Sequence, residues 1–337
     1  MPRRLRPSYA LPVLLVLAPG LVLGGLTVAD RPASAADAIP TRHGVRLALA
    51  GVPARAALNR SVEVTGTALD PVTGRPLPGV RVVLEVRTRR GWDAPPATPA
   101  VSDSRGGFTI DAPTYYYGRH VFRARVAGPA SRSQAALTPS VERAVTVPLP
   151  YRPAGRASSG RLSGARFDPC HPIPFRINYA GAPRNARRLV VDALAKARAA
   201  TGLTFTYAGR YSGTPFSRQR GGGLPSEGIG FAWATPRQVP GLAGATIGLG
   251  GGGWAVNGRR MSSGVVIDRT FRFRSGWTRP NSIGSLLLHE LGHALGLEHV
   301  KDRSQQMYPL DVGAPNGNYN RGDLAALRKV GLDAGCL

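Results

Sequence analysis

The chain has 337 residues, with 44 Lys or Arg against 19 Asp or Glu, which gives a net charge of +25. This length allows two domains with ordinary hydrophobic cores. By itself, a net charge this high would be typical of a nucleic-acid-binding protein. The arginines, however, are spread through both halves, with no basic helix and no aromatic stacking module beside them. We therefore expect no specific nucleic-acid partner. We expect instead a solvated basic surface suited to anionic cell walls, acidic proteins or membranes.

Residues 1–35 are typical of a secretory signal peptide. Three arginines among the first six residues precede the apolar run LPVLLVLAPGLVLGGLTV, and Ala33–Ala35 offers small residues for cleavage. The alternative is an uncleaved membrane anchor, because the apolar run is somewhat long. Its prolines and glycines weaken it as a spanning helix. We expect a secreted, extracellular protein, with the membrane-anchored form as the alternative.

Residues 36–147 predict an all-β domain. The stretches SVEVTGTAL and VRVVLEVRT alternate apolar and polar residues, and the turn-rich DPVTGRPLPG separates them. Several short strands of this kind favour a two-sheet sandwich, and the stretch resembles the Ig-like accessory domains of bacterial secreted proteins. Its role as a propeptide, a docking domain or a spacer stays open. Residues 148–165 are rich in Pro, Gly, Ser and Arg without periodicity, which predicts a linker.

Residues 166–337 predict an α+β domain. A strand at IPFRINYAG is followed by a helix ending at Gly202, and then by the strands LTFTYAG, GIGFAWA, GATIGLGG and SGVVIDRT. The glycine-rich GLGGGGWAVNG lacks a phosphate-binding motif, so we interpret it as a mobile loop beside a strand. NSIGSLLLHELGHALGL predicts a long helix with Asn281 or Ser282 as N-cap, and YNRGDLAALRKVG predicts a short C-terminal helix.

The stretch HELGHALGLEH begins at His289, ends at His299 and holds three of the chain's six histidines. In a helix, positions i and i+4 share a face, so His289 and His293 can present two imidazoles to one metal ion. Glu290 is offset from that face and can reach a water on the metal. Gly296 is suited to a positive φ that ends the helix and returns His299 as a third ligand. Three protein ligands with an open fourth place for water are typical of a catalytic zinc site. The alternative interpretation is that the three histidines are buried only for packing.

The stretch HELGHALGLEH followed by QQMYPL resembles the signature of the metzincin zinc endopeptidases. Among metzincins it is most similar to the matrixins, which carry a Met-Tyr-Pro turn at this interval. The resemblance covers about residues 166–337 and is strongest from 281 to 312. It implies a metzincin-like α+β fold with a twisted, mainly parallel sheet and an active-site helix. It also implies these site residues: His289, His293 and His299 as ligands of one catalytic Zn²⁺, Glu290 as general base, and Met307 as the floor beneath the metal.

The family also implies where a substrate binds. Its substrates lie extended along an edge strand, which we assign to GATIGLGG, and the segment Pro309 to Val312 would wall the first primed-side pocket. The chain departs from the family at Val300, where matrixins usually have Ser. With no histidine between His171 and His289, we expect no second, structural zinc. Calcium is possible but unsupported, because acidic residues are sparse.

Cys170 and Cys336 are the only cysteines of the chain and lie near the two ends of its second half. One disulfide between them would fit an exported protein. The alternative is Cys170 as a thiolate ligand that keeps a metal site latent. The latency sequence of animal matrixins, P-R-C-G-x-P-D, is absent, so we favour the disulfide.

These observations predict a secreted zinc-dependent metalloendopeptidase that acts on protein or peptide substrates, expected to be a monomer. The alternative is a cell-surface binding or adhesion protein that uses the Ig-like domain, with the protease domain as scaffold. Glu290 favours the enzyme, because a protease-derived binder has no need of the base, and here the base and all three ligands are intact.

Overall fold

The computed structural model describes residues 44–60, 62–94, 99–112, 114–127, 137–218, 223–310 and 316–337. The predicted signal peptide, residues 1–35, lies outside the described residues. All described residues belong to one compact unit, Asp37–Leu337. In this described part of the chain, no helix has both the length and the apolar character needed to cross a membrane.

The N-terminal part is a two-layer β-sandwich. Its strands are β1 (Val45–Leu49), β2 (Glu63–Leu69), β3 (Arg81–Thr88), β4 (Gly91–Asp93), β5 (Ala100–Val101), β6 (Gly107–Asp111), β7 (Gly118–Val126), β8 (Leu137–Thr138) and β9 (Arg143–Val147). One sheet has the order β6-β2-β1-β8, and the other has the order β4-β3-β7-β9 with β5 on β3. Apolar side chains from both sheets, such as Val64 and Phe122, share one core. The predicted sandwich is present.

The C-terminal part is a mixed α+β domain. Its elements are β10 (Ile173–Ile177), α1 (Ala186–Thr201), β11 (Phe205–Arg210), β12 (Gly228–Ala234), β13 (Gly248–Gly251), β14 (Ala255–Val256), β15 (Arg259–Arg260), β16 (Ser262–Asp268), α2 (Ile283–Leu295) and α3 (Arg321–Leu327). The main sheet has the order β11-β10-β12-β16-β13. Its pairs are parallel except β13 with β16, so the sheet is mainly parallel as predicted. The central strands β12 and β16 are buried along their whole length, as expected for strands covered on both faces.

Glycines let the edge strand β13 lie against helix α2. A Cβ added to Gly248 would come within 2.8 Å of Glu290 Oε1, and one added to Gly250 would overlap the Glu290 backbone. The absence of side chains at these two positions therefore sets the spacing between strand and helix. This places the predicted substrate-binding strand directly beside the predicted catalytic glutamate.

The glycine-rich stretch GLGGGGWAVNG, for which composition predicts a mobile loop beside a strand, includes β13 itself and continues beyond it. It contains β14, which pairs with β15 in an antiparallel hairpin. The Arg260 guanidinium holds the base of this hairpin, because Nη1 donates to Gly252 O at 2.8 Å and Nη2 donates to Ser163 Oγ at 3.1 Å. Composition could not reveal this anchoring, because Ser163 lies 97 residues before Arg260.

The predicted linker, residues 148–165, has little regular structure but is attached to the C-terminal domain. Ser163 N donates to Gly296 O at 2.9 Å, and Glu298 N donates to Arg161 O at 3.1 Å. Farther upstream, Tyr151 Oη donates to Tyr319 O at 2.8 Å. The segment therefore pairs antiparallel with the turn that leads to His299, instead of crossing solvent as a free linker.

The sandwich contacts the C-terminal domain at a surface that we call the domain junction. It consists of Arg89–Asp93 and Tyr115–His120 on the sandwich, against Ala199–Gly202 and Arg328–Cys336. Backbone and side-chain hydrogen bonds cross it: Arg89 N to Asp333 O at 2.9 Å, Tyr117 N to Ala199 O at 2.8 Å, Arg90 Nη1 to Cys336 O at 2.8 Å, and Cys336 N to Asp93 Oδ2 at 3.2 Å.

Cys170 and Cys336 form a disulfide, with their Cα atoms 5.4 Å apart. The bond joins the segment just before β10 to the C-terminus of the chain. Since Cys336 also contacts the sandwich, the disulfide supports the junction from the side of the C-terminal domain.

Candidate metal centre

Helix α2 carries the HELGHALGLEH stretch and is buried on nearly all sides. It begins after Ser282 and ends at Gly296, which has φ of 106° as the sequence predicted. Gly296 N donates to His293 O at 3.0 Å, and Leu297 N donates to Gly292 O at 2.9 Å. This pair of bonds is a Schellman motif, which turns the chain sharply at the helix end. The turn returns His299 toward the helix.

The three histidines converge on one point. His289 Nε2 lies 3.1 Å from His299 Nε2 and 3.2 Å from His293 Nε2. Two nitrogens bound to one tetrahedral zinc ion, each roughly 2.0–2.1 Å from it, would be separated by roughly 3.3 Å. The observed spacing therefore fits a shared cation. The alternative of packing alone explains it poorly, because packing does not require the polar edges of the three rings to point at one another.

Backbone carbonyls orient two of the rings. His289 Nδ1 lies 2.8 Å from Gln306 O, and His293 Nδ1 lies 2.8 Å from Leu297 O. A carbonyl oxygen only accepts, so each Nδ1 carries the proton and each Nε2 presents its lone pair. Such partners fix both the tautomer and the ring orientation of metal-binding histidines. The Schellman turn thus ends the helix and also supplies the carbonyl that orients His293.

Burial lowers the pKa of all three histidines, which favours their neutral form. Burial, reinforced by neighbouring His293, lowers the pKa of His289 to about 3, even though the bond to Gln306 O favours the protonated ring. The pKa values of His293 and His299 are also lowered, with burial as the largest cause. Neutral imidazole is the form that binds a metal ion, so these ligands need little deprotonation at neutral pH.

Glu290 and the three histidines line an open cleft with a volume of about 1210 Å³. Strand β13 forms one side of the cleft, and Pro309 and Leu310 lie along it as well. Glu290 is only 5% exposed, and its Oε1 lies beside Gly248 of that strand. A carboxylate is therefore held between the helix that carries the candidate metal ligands and an edge strand. Of the predicted pocket wall, Asp311 and Val312 lie outside the described residues.

Met307 packs against helix α2. It is 1% exposed, and a Cβ on Gly292 would overlap its sulfur, so the glycine makes room for it. Val300 N donates to Met307 O at 3.1 Å, which ties the segment after His299 to the turn that holds Met307.

Sequence reasoning missed Asp323, which holds that turn. Its Oδ2 accepts from Gln306 N at 2.8 Å and Asn320 N at 2.9 Å, and its Oδ1 accepts from Met307 N at 3.3 Å. Burial raises the pKa of Asp323 to about 6, although these N–H donors favour the carboxylate. Gln306 O in turn accepts from His289 Nδ1. Asp323 therefore positions the candidate ligand His289 indirectly, by holding the backbone of Gln306. The N-x-x-D pattern at the start of α3, a capping box, was the available signal.

One protein-family model matches the part of the chain that contains this site. Residues 253–330 match the family model of the matrixins, Peptidase_M10. That range includes the three histidines, Glu290, Met307 and Asp323. No protein with a curated description matches the chain.

Among solved structures, the chain is similar to the PKD domain of an M14-like peptidase from a Thermoplasmatales archaeon. The two are 14% identical over 32% of this chain and 94% of that chain, with a TM-score of 0.18, which is too low to support a conclusion on the fold. The family match and the histidine geometry together support a matrixin-like metalloprotease domain in the C-terminal part of the chain.

Proposed function

We propose that the protein is a secreted zinc-dependent endopeptidase that hydrolyses internal peptide bonds of proteins or peptides. One observation carries this proposal: three histidine Nε2 atoms converge beside a buried glutamate at the open edge of a sheet. Metal ligands, a base and a strand edge that can bind an extended chain are the parts that peptide hydrolysis requires.

The donor set fits zinc. The ligand atoms of His289, His293 and His299 lie within 4.8 Å of one another, and imidazole nitrogen is a preferred zinc ligand. The carbonyl partners of two rings match the outer contacts expected around such a metal. Zinc bound to these three residues would supply Lewis acidity, which polarises a carbonyl and acidifies water.

The chain's own groups would perform the remaining steps. Glu290 would take the proton from the attacking water and pass it to the leaving amine. The backbone of β13 would bind the substrate as an added strand, because β13 pairs with β16 on one side only among the described strands. Pro309 and Leu310 would contact a substrate side chain next to the scissile bond.

The sandwich would act as a permanent structural partner. Every described residue that lines the cleft belongs to the segment from Pro236 to Leu310, so the described sandwich does not cover the site. Its hydrogen bonds to Asp333 and Cys336 support the C-terminal domain from outside the cleft. We propose that the sandwich is Ig-like and that residues 1–35 direct export of the protein. We also propose that its basic surface brings the enzyme to anionic cell walls or acidic proteins.

A digest of a peptide library by the purified mature protein tests the proposal. Mass spectrometry of the products, with and without a zinc chelator, should show internal cuts that the chelator abolishes and added zinc restores. Absence of cuts in zinc-loaded, folded protein, or cuts that the chelator does not affect, would contradict it.

A further inference from the structure

The hairpin β14–β15 is a direct extension of the strand pair that borders the cleft. In the ladder of β13 with β16, Gly248 is opposite Ile267 and Gly251 is opposite Gly264. In the hairpin, Val256 is opposite Arg259. The residue numbers of every one of these pairs have the same sum, so the hairpin continues the register of the ladder without a shift. Strands β13 and β14 are therefore parts of one strand that bends at its glycines.

The bend lies at three consecutive glycines. Gly251, Gly252 and Gly253 have φ of 101°, 67° and 85°, which is a left-handed conformation that other residues rarely adopt. After the bend, Met261 N donates to Trp254 O at 3.0 Å, so the pairing resumes immediately. The edge that borders Glu290 therefore leads to Trp254 within a few residues.

Trp254 differs from the other tryptophans of the described chain. Trp233 is buried at 5% exposure, and cations lie over the rings of Trp92 and Trp277. Trp254 is 51% exposed, and no described aromatic ring or cation lies against it. Val256, two residues farther on, is 49% exposed. Two large apolar side chains thus face solvent at the end of a candidate substrate-binding edge.

The hairpin displays these side chains on a firm support. Arg260 is 8% exposed and bonds to Gly252 O and Ser163 Oγ. The backbones of Arg166 and Arg260 also pair, with Arg260 N donating to Arg166 O at 2.7 Å, and Arg166 N donates to Gly258 O at 3.0 Å. A side chain held by an ordered backbone loses less conformational entropy when a ligand binds it.

We propose that the hairpin forms a remote subsite that binds an apolar side chain of an extended peptide substrate, with Trp254 as its main contact. The inference rests on the proposed function and adds a substrate class to it. A substrate strand that pairs with an edge advances about one residue for each residue of that edge. Trp254 would therefore contact a substrate residue roughly four to six positions from the scissile bond, on either its amino or its carboxyl side. Exposed tryptophan is suited to this role, because it offers a large apolar area with few rotamers to order.

Three peptide substrates test the proposal with zinc-loaded, full-length mature protein. The first is a short peptide that fills the cleft only. The others carry a five-residue extension with Leu and Phe, one on the amino side and one on the carboxyl side. We expect one extension to raise kcat/KM about tenfold through a lower KM, because contact with a remote group contributes binding rather than chemistry. The same extension with Ser in place of Leu and Phe should have no effect.

Trp254→Ala should abolish the gain from the apolar extension and leave cleavage of the short peptide unchanged. Tyr207→Ala is the matched control, because Tyr207 is also a partly exposed aromatic residue, at 39%, on β11 at the opposite edge of the sheet. It should retain the gain. An equal gain in Trp254→Ala and the wild type would overturn the proposal.

Two further outcomes separate the inference from the function. If the wild type cleaves the short peptide and neither extension changes kcat/KM, the remote subsite is wrong while the endopeptidase stands. If no peptide is cleaved, the endopeptidase is wrong. Calorimetric binding of the extended peptides to Glu290→Gln with and without Trp254→Ala then decides the subsite. Loss of binding to anionic lipid vesicles in Trp254→Ala, with peptide cleavage unchanged, would make the hairpin a membrane contact and overturn the proposal.

Discussion

The metal centre and the domain junction each contain a buried histidine held by a backbone carbonyl. His289 bonds to Gln306 O at 2.8 Å, and His120 bonds through Nε2 to Tyr116 O at 2.9 Å. Burial is the largest cause of the lowered pKa of both rings. They differ in the second ring nitrogen. That of His289 faces two other histidines, whereas Nδ1 of His120 has no hydrogen-bond partner among the residues that the structure describes.

Under the proposed function, this difference is what separates a metal ligand from a structural histidine. Burial, a carbonyl partner and a lowered pKa occur at both sites, so none of them distinguishes a ligand from a structural histidine. The ring of His120 packs on Tyr116 with centroids 3.9 Å apart, and it fills the junction as an aromatic side chain. Of these two histidines, only His289 has a second ring nitrogen that converges with the ring nitrogens of other histidines.

Replacing Glu290 should have the largest effect on activity. Glu290→Gln keeps the shape of the side chain and removes its basicity, so we expect peptide hydrolysis to fall by about 10²–10⁴-fold. Bound zinc, measured by metal analysis of the dialysed protein, should stay at the wild-type ratio. Glu298→Gln is the control within the same motif, because Glu298 is partly exposed and pairs with Arg161 at 3.5 Å. Equal activity of Glu290→Gln and wild type would refute the role of Glu290 as base.

The two buried histidines should respond differently to substitution. His289→Gln removes a converging nitrogen, so we expect zinc affinity to fall by more than about 100-fold, since even the loss of outer contacts costs about 10–100-fold. His120→Gln should leave zinc affinity unchanged and lower only the melting temperature. Competition with a chromogenic chelator measures the affinity. A similar loss of zinc affinity in both variants would show that convergence of ring nitrogens does not separate a metal ligand from a structural histidine.

Asp323→Asn should weaken the support of the metal centre without touching a ligand. Its amide offers one oxygen where the carboxylate accepts three backbone N–H groups. We expect a loss of about 1–3 kcal/mol in the free energy of unfolding, the cost of leaving a buried donor unpaired. Zinc affinity should fall by about 10-fold or more, because Gln306 O would no longer be held under His289.

Asp333→Asn is the matched control for that variant at the junction. Tyr116 Oη donates to Asp333 Oδ1 at 3.3 Å, and asparagine retains an oxygen that can accept there. We expect urea titrations to show a smaller loss of stability than in Asp323→Asn, with zinc affinity unchanged. A larger loss in the control would mean that the junction, rather than α3, limits the stability of the metal centre.

The smallest effect is a pH dependence at the junction. The pKa of His120 is lowered in the folded chain, mainly by burial, so the unfolded chain binds a proton at higher pH than the folded chain does. The stability contributed by the neutral ring is therefore present above the unfolded pKa of about 6.5 and is lost as the pH falls through the folded value. Thermal unfolding from pH 7 to pH 5 should show a smaller decrease in His120→Phe than in wild type. Identical decreases would exclude His120 as a contributor.

Much of the fold could be predicted, because it depends on local patterns. Strand alternation predicted β2 and β3, and helical spacing with a terminal glycine predicted α1 and its end at Gly202. The histidine motif is also local, since positions i and i+4 share a helix face in any context. The partners of those histidines could not be predicted, because Gln306 O and Asp323 reach them through bonds between distant segments.

Two segments were interpreted from composition and turned out to have partners. Residues 148–165 have the composition of a linker, yet Ser163 bonds to Gly296 and supports the turn at the end of α2. The glycine-rich composition before Trp254 predicts a mobile loop, and the structure shows strand pairing in one register on both sides of these glycines. Glycine and proline report the conformations a segment can adopt; they do not report which distant backbone satisfies its hydrogen bonds.

Local sequence was enough to predict the types and spacing of the candidate metal ligands, the candidate base and the glycine turn, because these depend on positions a few residues apart. It also determined the alternation that builds the two domains. Only the tertiary structure decided which carbonyls orient the histidines, where Asp323 holds the turn under them, and how the sandwich packs beside the disulfide. Those contacts join residues far apart in the chain, and their geometry depends on how whole elements pack.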